Sequence, residues 1–506
     1  MPYVIGIDVG SSATKVGLLA LEGTAMAVAR HAYPTDEPRP GFKELHPDLW
    51  WNTAVQGIRE VSAGVPRDEI LALCAVGHIP SLTFVDHAGM PLRPSIGFQD
   101  QRASRELDDL YSRFSREELA SLLGIDLPPS PTWPLPKLLW FRNCEPETLR
   151  RTRYLLQAKD YVNLRLTGEF ACDASSSRGL ADQETNGVAG TVLEGLGIEP
   201  ALLPRLRGYG EVVGVVSAEA SEATGLRRGL PVVCGWNDLN ACALGSGAVE
   251  LGDEFNITGT SEHIGVVTGR RHTNSKLMCG PFLRGKKLLY GATLSGGGSL
   301  DWYRRTSGRP LAELLALAES APAGSESLLF LPYLDGERAP IWDLRASGAF
   351  VGLRTRHHEG HLVRAILEGV AFSLRHIRDV IETELGDSAG KVVICGGAAR
   401  IQLWNRIRAD ILGRTVSVPV NAETGVLGAA MLAAVAAGCY KTCEDAARGM
   451  TKLDHEVAPS PDASERYETL YQVYLSLYPA LRDVFQRLYE DRERQAAESS
   501  AGQVRA

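Results

Sequence analysis

Apolar residues along the chain follow two patterns, short β-rich runs and longer stretches with helical spacing. At the start, residues 3–8 and 13–21 are two apolar runs separated by a turn that contains Gly10, which predicts a β-hairpin. Residues 24–31 predict a third strand, and residues 46–62 place apolar side chains three and four positions apart, as an amphipathic helix does. This mixture predicts an α/β fold.

The arrangement of the N-terminal hairpin recurs faintly in the second half of the chain. Residues 254–258 and 263–267 are again two apolar runs, and they flank Gly259, Thr260 and Ser261. A glycine followed by two hydroxyl residues also forms the first turn, as Gly10, Ser11 and Ser12. A duplicated α/β domain with a cleft between the copies explains this recurrence. We therefore predict two domains and a polar, disordered tail, with the boundaries 1–245, 246–491 and 492–506.

A carboxylate stands between a predicted strand and a predicted helix near the middle of the chain. Residues 230–234 form an apolar run, and residues 239–244 are rich in Ala and Leu, which favours a helix. Asp238 lies between them, so it is either the N-cap of the helix or, if phosphates are held beside it, a general base for phosphoryl transfer. The second role requires a positioned carboxylate but no strongly raised pKa.

Composition and charge narrow the class of protein. The chain has 506 residues, a net charge of −8 and nine cysteines, which show no CxxC spacing. The negative charge argues against a surface for nucleic acid or anionic membrane, and the unpatterned cysteines indicate reduced thiols. Because no apolar run reaches membrane length and the first residues form a predicted strand, we expect a soluble, cytoplasmic protein without a membrane or nucleic-acid partner.

The two glycine–hydroxyl turns are candidate phosphate-binding loops. A glycine lets backbone N–H groups approach an anion and hydroxyls add donors, although each turn alone could be a plain β-turn. Asp8 precedes the first turn and either closes an Asx-type turn or holds Mg²⁺, directly or through water. Thr14 could contact phosphate, and Lys15 is either a further phosphate contact or an ordinary strand residue.

Three further segments are candidate ligand contacts. Gly396 and Gly397 follow an apolar run and would let a flat ligand approach the backbone. Gly298 lies in a glycine-rich stretch that is either another close-approach loop or a flexible turn. Gln99 and Asp100, in the sequence Phe-Gln-Asp-Gln-Arg, either begin a solvated helix or hydrogen-bond a polyhydroxyl ligand. The absence of GxGxxG argues against a Rossmann dinucleotide site, and the absence of GxxxxGK[ST] excludes a P-loop.

With these residues, the chain resembles the FGGY carbohydrate kinases over nearly its whole length. The resemblance rests on eleven collinear motifs: GIDVGSSATKVGL (6–18), HPDLWW (46–51), FQDQR (98–102), DYVNLRLTGEFACDASSS (160–177), GWNDLNACALGSG (235–247), ITGTSE (257–262), LSGGGSLDWY (294–303), LPYLDGERAPIWD (331–343), GAFVGL (348–353), RAILEGVAFSLR (364–375) and GGAARIQLWNRIRADILG (396–413). Two of these motifs, LSGGGSLDWY and PYLDGERAP, most resemble the xylulokinases and related ketose kinases. The resemblance implies two duplicated actin-like, ribonuclease H-like ATPase domains with a central interdomain cleft.

The resemblance also implies roles for individual residues. Asp238 matches the family's catalytic base, and Asp8 matches its magnesium-associated carboxylate. The cofactor ATP would then be held by the phosphate loops and the adenosine segment, namely Asp8, Gly10, Ser11, Ser12, Thr14, Lys15, Gly259, Thr260, Ser261, Gly298, Gly396, Gly397 and Asn405. The sugar would be contacted from the N-terminal domain by His78, Ile79, Gln99, Asp100, Asn237 and Asp238.

Two departures from the family pattern bear on the substrate and on the second loop. Xylulokinases commonly carry Gly-Gln-Met-His-Gly where residues 77–81 of this chain read Gly-His-Ile-Pro-Ser. The sugar-contacting histidine is thus replaced by Pro80, unless His78 reaches in, which puts D-xylulose itself in doubt. Glu262 follows the second loop, where its carboxylate would repel phosphate unless it turns away or binds the metal.

The resulting hypothesis is an ATP- and Mg²⁺-dependent kinase that phosphorylates a ketose, D-xylulose or a related ketopentose. Another ketose, or a polyol such as glycerol or erythritol, is the alternative acceptor. A sugar-independent ATPase of the same fold and a non-catalytic sugar-binding protein are the alternatives from other classes. By analogy with relatives, a homodimer is a possible assembly.

Overall fold

A computed structural model describes residues 2–273, 276–386 and 390–503. The chain divides into two compact units. The first unit comprises the chain up to Leu251 together with Thr268–Leu288 and Glu423–Lys452. The second unit comprises Gly252–Val267, Leu289–Ala422 and the chain from Leu453 onward.

The strands of the described residues range from two to eight residues in length. In chain order they are β1 Tyr3–Val9, β2 Ala13–Ala20, β3 Ala25–Ala32, β4 Glu44–Leu45, β5 Ile70–Gly77, β6 Thr83–Val85, β7 Ser95–Ile96, β8 Tyr154–Leu156, β9 Ala171–Cys172, β10 Ala181–Asp182, β11 Gly187–Val188, β12 Arg205–Leu206, β13 Val212–Val215, β14 Pro231–Val233, β15 Glu254–Thr258, β16 His263–Thr268, β17 Met278–Pro281, β18 Lys287–Ala292, β19 Leu329–Leu331, β20 Ala349–Val351, β21 Val392–Gly396, β22 Val416–Pro419 and β23 Leu453–Val457.

The α-helices follow the same numbering. They are α1 Asp48–Val61, α2 Glu106–Arg113, α3 Arg116–Leu123, α4 Pro134–Cys144, α5 Pro146–Arg151, α6 Ala158–Thr167, α7 Gly190–Gly195, α8 Ala218–Thr224, α9 Asp238–Ser246, α10 Gly297–Ser307, α11 Leu311–Ser320, α12 Glu359–Leu385, α13 Gln402–Leu412, α14 Thr424–Ala436, α15 Cys443–Met450 and α16 Pro461–Gln503. Short 3₁₀ turns cover Arg67–Glu69, Pro200–Leu202, Ser325–Ser327 and Gly397–Arg400.

The main sheet of the first unit has the order β13-β14-β5-β1-β2-β3. Strand β1 pairs antiparallel with β2 and parallel with β5, β5 pairs parallel with β14, and β14 pairs antiparallel with β13. The predicted N-terminal hairpin is confirmed, with Asp8 directly opposite Lys15 in its register. Helices α1 and α6 cover the sheet through buried side chains such as Trp50, Ile58 and Tyr161.

The main sheet of the second unit repeats this topology. Within this unit the strands are paired in the order β16-β15-β21-β22-β23. Strand β15 pairs antiparallel with β16 and parallel with β21, β21 pairs parallel with β22, and β22 pairs antiparallel with β23. The central strands of the two sheets thus have the same neighbours in the same directions, so the duplication predicted from the sequence is confirmed.

Helix α14 packs at once against strand β1 and helix α9 of the first unit. A Cβ on Gly6 of β1 would lie 2.1 Å from the Val426 carbonyl oxygen. A Cβ on Gly245 of α9 would lie 2.0 Å from the Thr424 carbonyl oxygen, and one on Gly428 the same distance from that of Ala241. Side chains at these positions would force the backbones apart, so the glycines permit α14 to approach both β1 and α9 closely.

The predicted C-terminal helix is confirmed as α16, whose Tyr467, Tyr471 and Tyr474 are buried in the core of the second unit. The predicted disorder differs from the structure over residues 492–503, because α16 continues to Gln503, and the rest of the predicted tail, residues 504–506, lies outside the described residues. Within the described ranges, we find no helix that combines the length and the apolar character needed to span a bilayer.

Candidate active site

Asp238 is the first residue of α9, at the point where the chain leaves β14. The helix is capped by Asn237, whose side-chain oxygen accepts a hydrogen bond of 3.0 Å from the Asn240 amide. The alternative that Asp238 is the N-cap is therefore wrong. One oxygen of Asp238, Oδ1, accepts from the Leu239 amide at 2.8 Å, and the residue is partly exposed. The cap thus holds the helix start and leaves the Asp238 carboxylate to act as a partly accessible group.

The surroundings of Asp238 raise its pKa to about 7. Burial is the largest cause and the negative charge of Asp8 adds to it, whereas the Leu239 amide and the positive charge of Arg178 lower the pKa. The sequence-based hypothesis did not require a raised pKa, so this shift is a finding of the structure. A carboxyl group whose pKa lies near 7 can accept a proton more readily than an ordinary aspartate.

Asp8, at the end of β1, fits a metal-associated role. It is 9 % exposed, and among the described residues its Oδ1 has no hydrogen-bond partner. Burial raises the pKa of Asp8, while Lys15 opposes that increase. In the described part of the chain we find no cluster of three or more metal-ligating side chains. A single buried carboxylate oxygen without a partner suits Mg²⁺, which is usually held by one or two carboxylates with water and phosphate oxygens.

The two other residues predicted from β2 lie in different environments. Lys15 forms an ion pair with Glu423, just before α14, at 2.6 Å between Nζ and Oε2. Thr14 is fully buried, and the Thr53 hydroxyl of α1 donates to its oxygen at 2.9 Å. Lys15 therefore lies beside Asp8 with a carboxylate partner that the sequence analysis missed, whereas the Thr14 side chain belongs to the packing against α1.

The first glycine–hydroxyl turn is held as a tight hairpin end. The Gly10 amide donates to the Ala13 carbonyl at 3.0 Å, and the Tyr33 hydroxyl donates to the Gly10 carbonyl. Ser11 and Ser12 are exposed at the tip. The turn thus presents two serines to solvent from a fixed backbone.

A buried charged cluster surrounds Lys159 of helix α6 and reaches the chain just before Asp238. The Lys159 Nζ contacts Asp160 Oδ1 at 2.5 Å, Asp173 Oδ1 at 2.9 Å and the carbonyl oxygen of Cys234 at 3.2 Å. All three charged residues are at most 2 % exposed. Burial lowers the pKa of Lys159, but the two carboxylates outweigh it and raise that pKa well above its usual value. The sequence analysis missed this cluster, although the motif that contains Asp160 and Asp173 was part of the resemblance.

One recess in the first unit is lined by three residues that were predicted to contact a ligand, either at the first glycine–hydroxyl turn or as sugar contacts. Ser11, His78 and Gln99 contribute to it together with Trp50 and Phe98. His78 lies between the last two rings and donates from Nδ1 to the Val9 carbonyl at 2.9 Å. Burial lowers the pKa of His78, which favours the neutral ring, and a neutral ring that donates from Nδ1 has Nε2 as its acceptor atom.

The other predicted sugar contacts are less available. Asp100 is fully buried and accepts hydrogen bonds from the guanidinium of Arg102 at 2.8 and 2.9 Å and from the Lys43 amide at 2.6 Å. Asn237 is fully buried, with its amide group donating to Ser175 Oγ at 3.1 Å. Ile79 is partly exposed. The carboxylate of Asp100 therefore orders its own loop in this structure.

The second glycine–hydroxyl turn is joined to the start of α10. The amides of Gly296 and Gly298 donate to the Thr260 carbonyl at 2.7 and 3.0 Å, and the Gly297 amide donates to the Gly259 carbonyl at 2.9 Å. A Cβ on Gly298 would lie 3.0 Å from the Thr260 carbonyl oxygen. Gly298 thus supports the second loop directly. Gly259 and Thr260 are exposed, and Ser261 is partly exposed.

Glu262 turns away from the second loop into the interior of the second unit. It is fully buried, with Oε1 at 2.7 Å from Arg408 Nη2 and Oε2 accepting from Asn256 at 3.2 Å. Burial raises the pKa of Glu262, and Arg408 and Asn256 oppose the increase. The charge of the Glu262 carboxylate is therefore balanced by Arg408 in the interior, which removes the repulsion of phosphate expected from the sequence.

Gly396 ends β21 and Gly397 begins the following 3₁₀ turn, and the two glycines are under different constraints. Gly396 has φ +89°, and a Cβ there would lie 2.1 Å from the Thr258 carbonyl oxygen. Gly397 is exposed, and a Cβ there would meet no described atom within 4 Å. Asn405 is fully buried and donates to the Ala399 carbonyl at 2.7 Å, so its amide fixes the turn that follows the glycines.

Comparison with known proteins identifies the class of this chain. Residues 3–245 match the N-terminal domain of the FGGY family of carbohydrate kinases, and residues 255–437 match the C-terminal domain of that family. The matches cover most of the sequence, and the chain belongs to the FGGY family of carbohydrate kinases. It is an ATP-dependent carbohydrate kinase, a phosphotransferase.

Individual relatives extend the similarity to nearly the full length. The chain is 31 % identical to the xylulose kinase of Escherichia coli (strain K12), over 96 % of this chain and 98 % of that protein. Among solved structures, it is similar to the xylulose kinase from Rhodospirillum rubrum, with 30 % identity, a TM-score of 0.83 and coverage of 96 % and 100 % of the two chains. It is also similar to the gluconate kinase from Lactobacillus acidophilus, with 26 % identity, a TM-score of 0.88 and coverage of 96 % and 99 %.

Proposed function

We propose that this kinase transfers the γ-phosphate of ATP to a hydroxyl of a ketose, D-xylulose or a related ketopentose, with Asp238 as the general base. The observation that carries the proposal is the carboxylate of Asp238, partly exposed at a capped helix start, with a pKa of about 7. As the hydroxyl oxygen attacks the γ-phosphorus, Asp238 accepts the hydroxyl proton, and the bond to the β-phosphate oxygen breaks to release ADP.

We propose that each glycine–hydroxyl turn is a phosphate-binding loop for ATP and that the turn at Gly396 and Gly397 is a contact for adenosine. The buried, unpartnered Oδ1 of Asp8 supports a role in holding Mg²⁺, directly or through water, within the part of the chain that is described. When bound, Mg²⁺ would neutralise charge on the phosphate oxygens. Lys15, beside Asp8 and paired with Glu423, supplies a positive charge that the phosphates could share.

The proposal of a ketopentose rests on the names of the relatives. The recess that contains His78 and Gln99 adds information on the acceptor from this chain itself. Several relatives are named xylulose kinases, but others are named gluconokinase. In this chain His78 supplies a neutral acceptor nitrogen beside Trp50 and Phe98, and Asp100 is occupied by Arg102. A hydroxyl-rich acceptor that donates to His78 and Gln99 is therefore the chemistry that this recess supports, and a polyol remains the second candidate.

The test measures sugar-dependent ADP release with a panel of ketopentoses, ketohexoses, polyols and gluconate. We expect one ketose to give the highest kcat/KM, and no ADP release without an acceptor. Asp238→Asn should retain binding of sugar and ATP but lose about 10²–10⁴-fold in kcat. Asp68→Asn, at a carboxylate that is 92 % exposed, is the matched control and should behave as wild type. Near-normal turnover of Asp238→Asn would refute the role of this residue, and equal ADP release without sugar would indicate an ATPase.

A further inference from the structure

The buried cluster around Lys159 is connected to the start of helix α9 in two ways. The first connection is direct, because Lys159 donates to the carbonyl oxygen of Cys234, which follows strand β14. Asn163 donates to the same carbonyl at 3.0 Å. The chain is thus fixed by two donors just before it reaches Asn237 and Asp238.

The second connection runs through the hydroxyl of Ser175. Asp173 forms an ion pair with Lys159 through Oδ1 at 2.9 Å, and its Oδ2 accepts a hydrogen bond from the Ser175 hydroxyl at 2.8 Å. The Ser175 oxygen in turn accepts from the amide group of Asn237 at 3.1 Å. A serine hydroxyl has one donor and two acceptor positions, so these two bonds use it in both directions.

Asn237 links this hydrogen-bonded connection to the start of helix α9. Its side-chain oxygen caps α9 through the Asn240 amide, while its side-chain nitrogen is tied to Ser175. An asparagine with both ends of its amide engaged has one orientation available. The residue that follows it is Asp238, so a rotation of the cap would displace the Asp238 carboxylate.

We infer that Ser175 is a positioning residue for catalysis, which couples the buried Lys159–Asp173 ion pair to the Asn237 cap and thereby sets the place of the Asp238 carboxylate. This inference rests on the proposed function, because it requires Asp238 to act in the transfer step. It predicts a loss that appears in the chemical step and leaves the binding of ATP unchanged, since the Ser175 hydroxyl bonds Asp173 and Asn237, neither of which is assigned to the phosphates.

The adjacent serine provides a matched control. Ser176 is fully buried in the same loop, and its Oγ has no hydrogen-bond partner among the residues the structure covers. Ser176→Ala removes the same atom from the same loop without breaking the connection. Ser175→Thr keeps a hydroxyl and should rescue the function that Ser175→Ala loses.

The experiment compares kcat, KM for both substrates and the melting temperature of these variants. Ser175→Ala breaks both hydrogen bonds of the hydroxyl and should lower kcat about tenfold, with an unchanged KM for ATP. Ser176→Ala should match wild type, and Ser175→Thr should recover most of the activity. Equal kcat for Ser175→Ala and wild type would overturn the inference, as would a rise in both KM values with unchanged kcat.

Asp238→Asn distinguishes this failure from a failure of the proposed function. If Asp238→Asn keeps near-normal turnover, Asp238 is not the base and the inference falls with it. If Asp238→Asn is inactive and Ser175→Ala is normal, only the positioning role is wrong. In the residual activity of Asp238→Asn, adding Ser175→Ala should lower kcat by less than twofold, because the group that Ser175 positions is already lost.

Discussion

Replacing Arg408 by methionine tests its buried ion pair with Glu262, the residue that follows the second glycine–hydroxyl turn. The change keeps a long side chain in the interior but removes the positive charge. Glu262 then keeps only its hydrogen bond of 3.2 Å from Asn256, while its contact of 2.7 Å to Arg408 Nη2 is lost. Because Glu262 and Arg408 are both 0 % exposed, water cannot replace the missing partner.

The expected cost follows from this burial. Removing one partner of a buried ion pair costs about 3–5 kcal/mol, because the remaining charge is uncompensated. The protein can limit the cost by protonating Glu262, whose pKa is raised by burial and held down by Arg408 and Asn256. In Arg408→Met that pKa rises further above the ordinary value of 4.5. The folded state then holds a proton that the unfolded state releases, so stability falls as the pH rises through the folded pKa.

The measurement is urea unfolding followed by circular dichroism at pH 5.5 and pH 8.0. Arg408→Met should be destabilised at both values and more strongly at pH 8.0. Glu262→Gln combined with Arg408→Met should recover most of the loss and remove the added pH dependence. Arg406→Met is the matched control, since Arg406 lies in the same helix and pairs with Glu319 at the exposed surface. The control should change stability by less than about 1 kcal/mol. A cost below about 1 kcal/mol for Arg408→Met, or a cost that does not depend on pH, would refute the reasoning.

Three further predictions follow from single positions. Gly396→Ala should lower the melting temperature by several degrees, because φ is +89° there and the added Cβ would lie 2.1 Å from the Thr258 carbonyl oxygen. Gly397→Ala should leave the melting temperature unchanged, and equal effects of the two variants would contradict this reasoning. Burial raises the pKa of Glu337 to about 8, so the stability it confers is lost as the pH rises from about 4.5 through 8. Glu337→Gln should therefore melt at a higher temperature than wild type above pH 8, and a lower melting temperature there would count against the shift. Arg178→Met removes a positive charge that lowers the pKa of Asp238, so the acid limb of the kcat/KM profile should move to higher pH; an unmoved limb would exclude this influence.

Local sequence patterns predicted the helices and strands whose formation depends on residues close together in the sequence. The hairpins β1–β2 and β15–β16, helix α1 and the strand before Gly396 all lie where the apolar periodicity places them. The duplication was also visible, because each copy repeats the same short turn. Such features depend on backbone conformation and side-chain alternation within about twenty residues, which a pattern records directly.

Polar side chains whose partners are other groups of the protein were harder to interpret. Asp100 looked like a sugar contact because acidic and amide groups stand side by side, yet its carboxylate is used by Arg102 and by the amide of Lys43, 57 residues away. Asn405 fell in a segment expected to line the adenosine pocket, yet it fixes the turn through Ala399. In both cases the chemistry of the side chain was read correctly, but the sequence does not state which partner it has.

The same limit explains why the support of Asp238 was missed. Lys159 reaches Asp173 and also the carbonyl of Cys234, 75 residues away, and no periodicity links these positions. A buried lysine paired with two aspartates must have both partners present, since any one of these charges alone would be costly to bury. Because the cluster can be buried only when its charges are paired, it also fixes the positions of the chain segments that carry these residues. The Asp238 carboxylate, which we assign to proton transfer, can therefore remain partly exposed. The polar groups that hold the start of α9 in place have their partners in the buried cluster around Lys159.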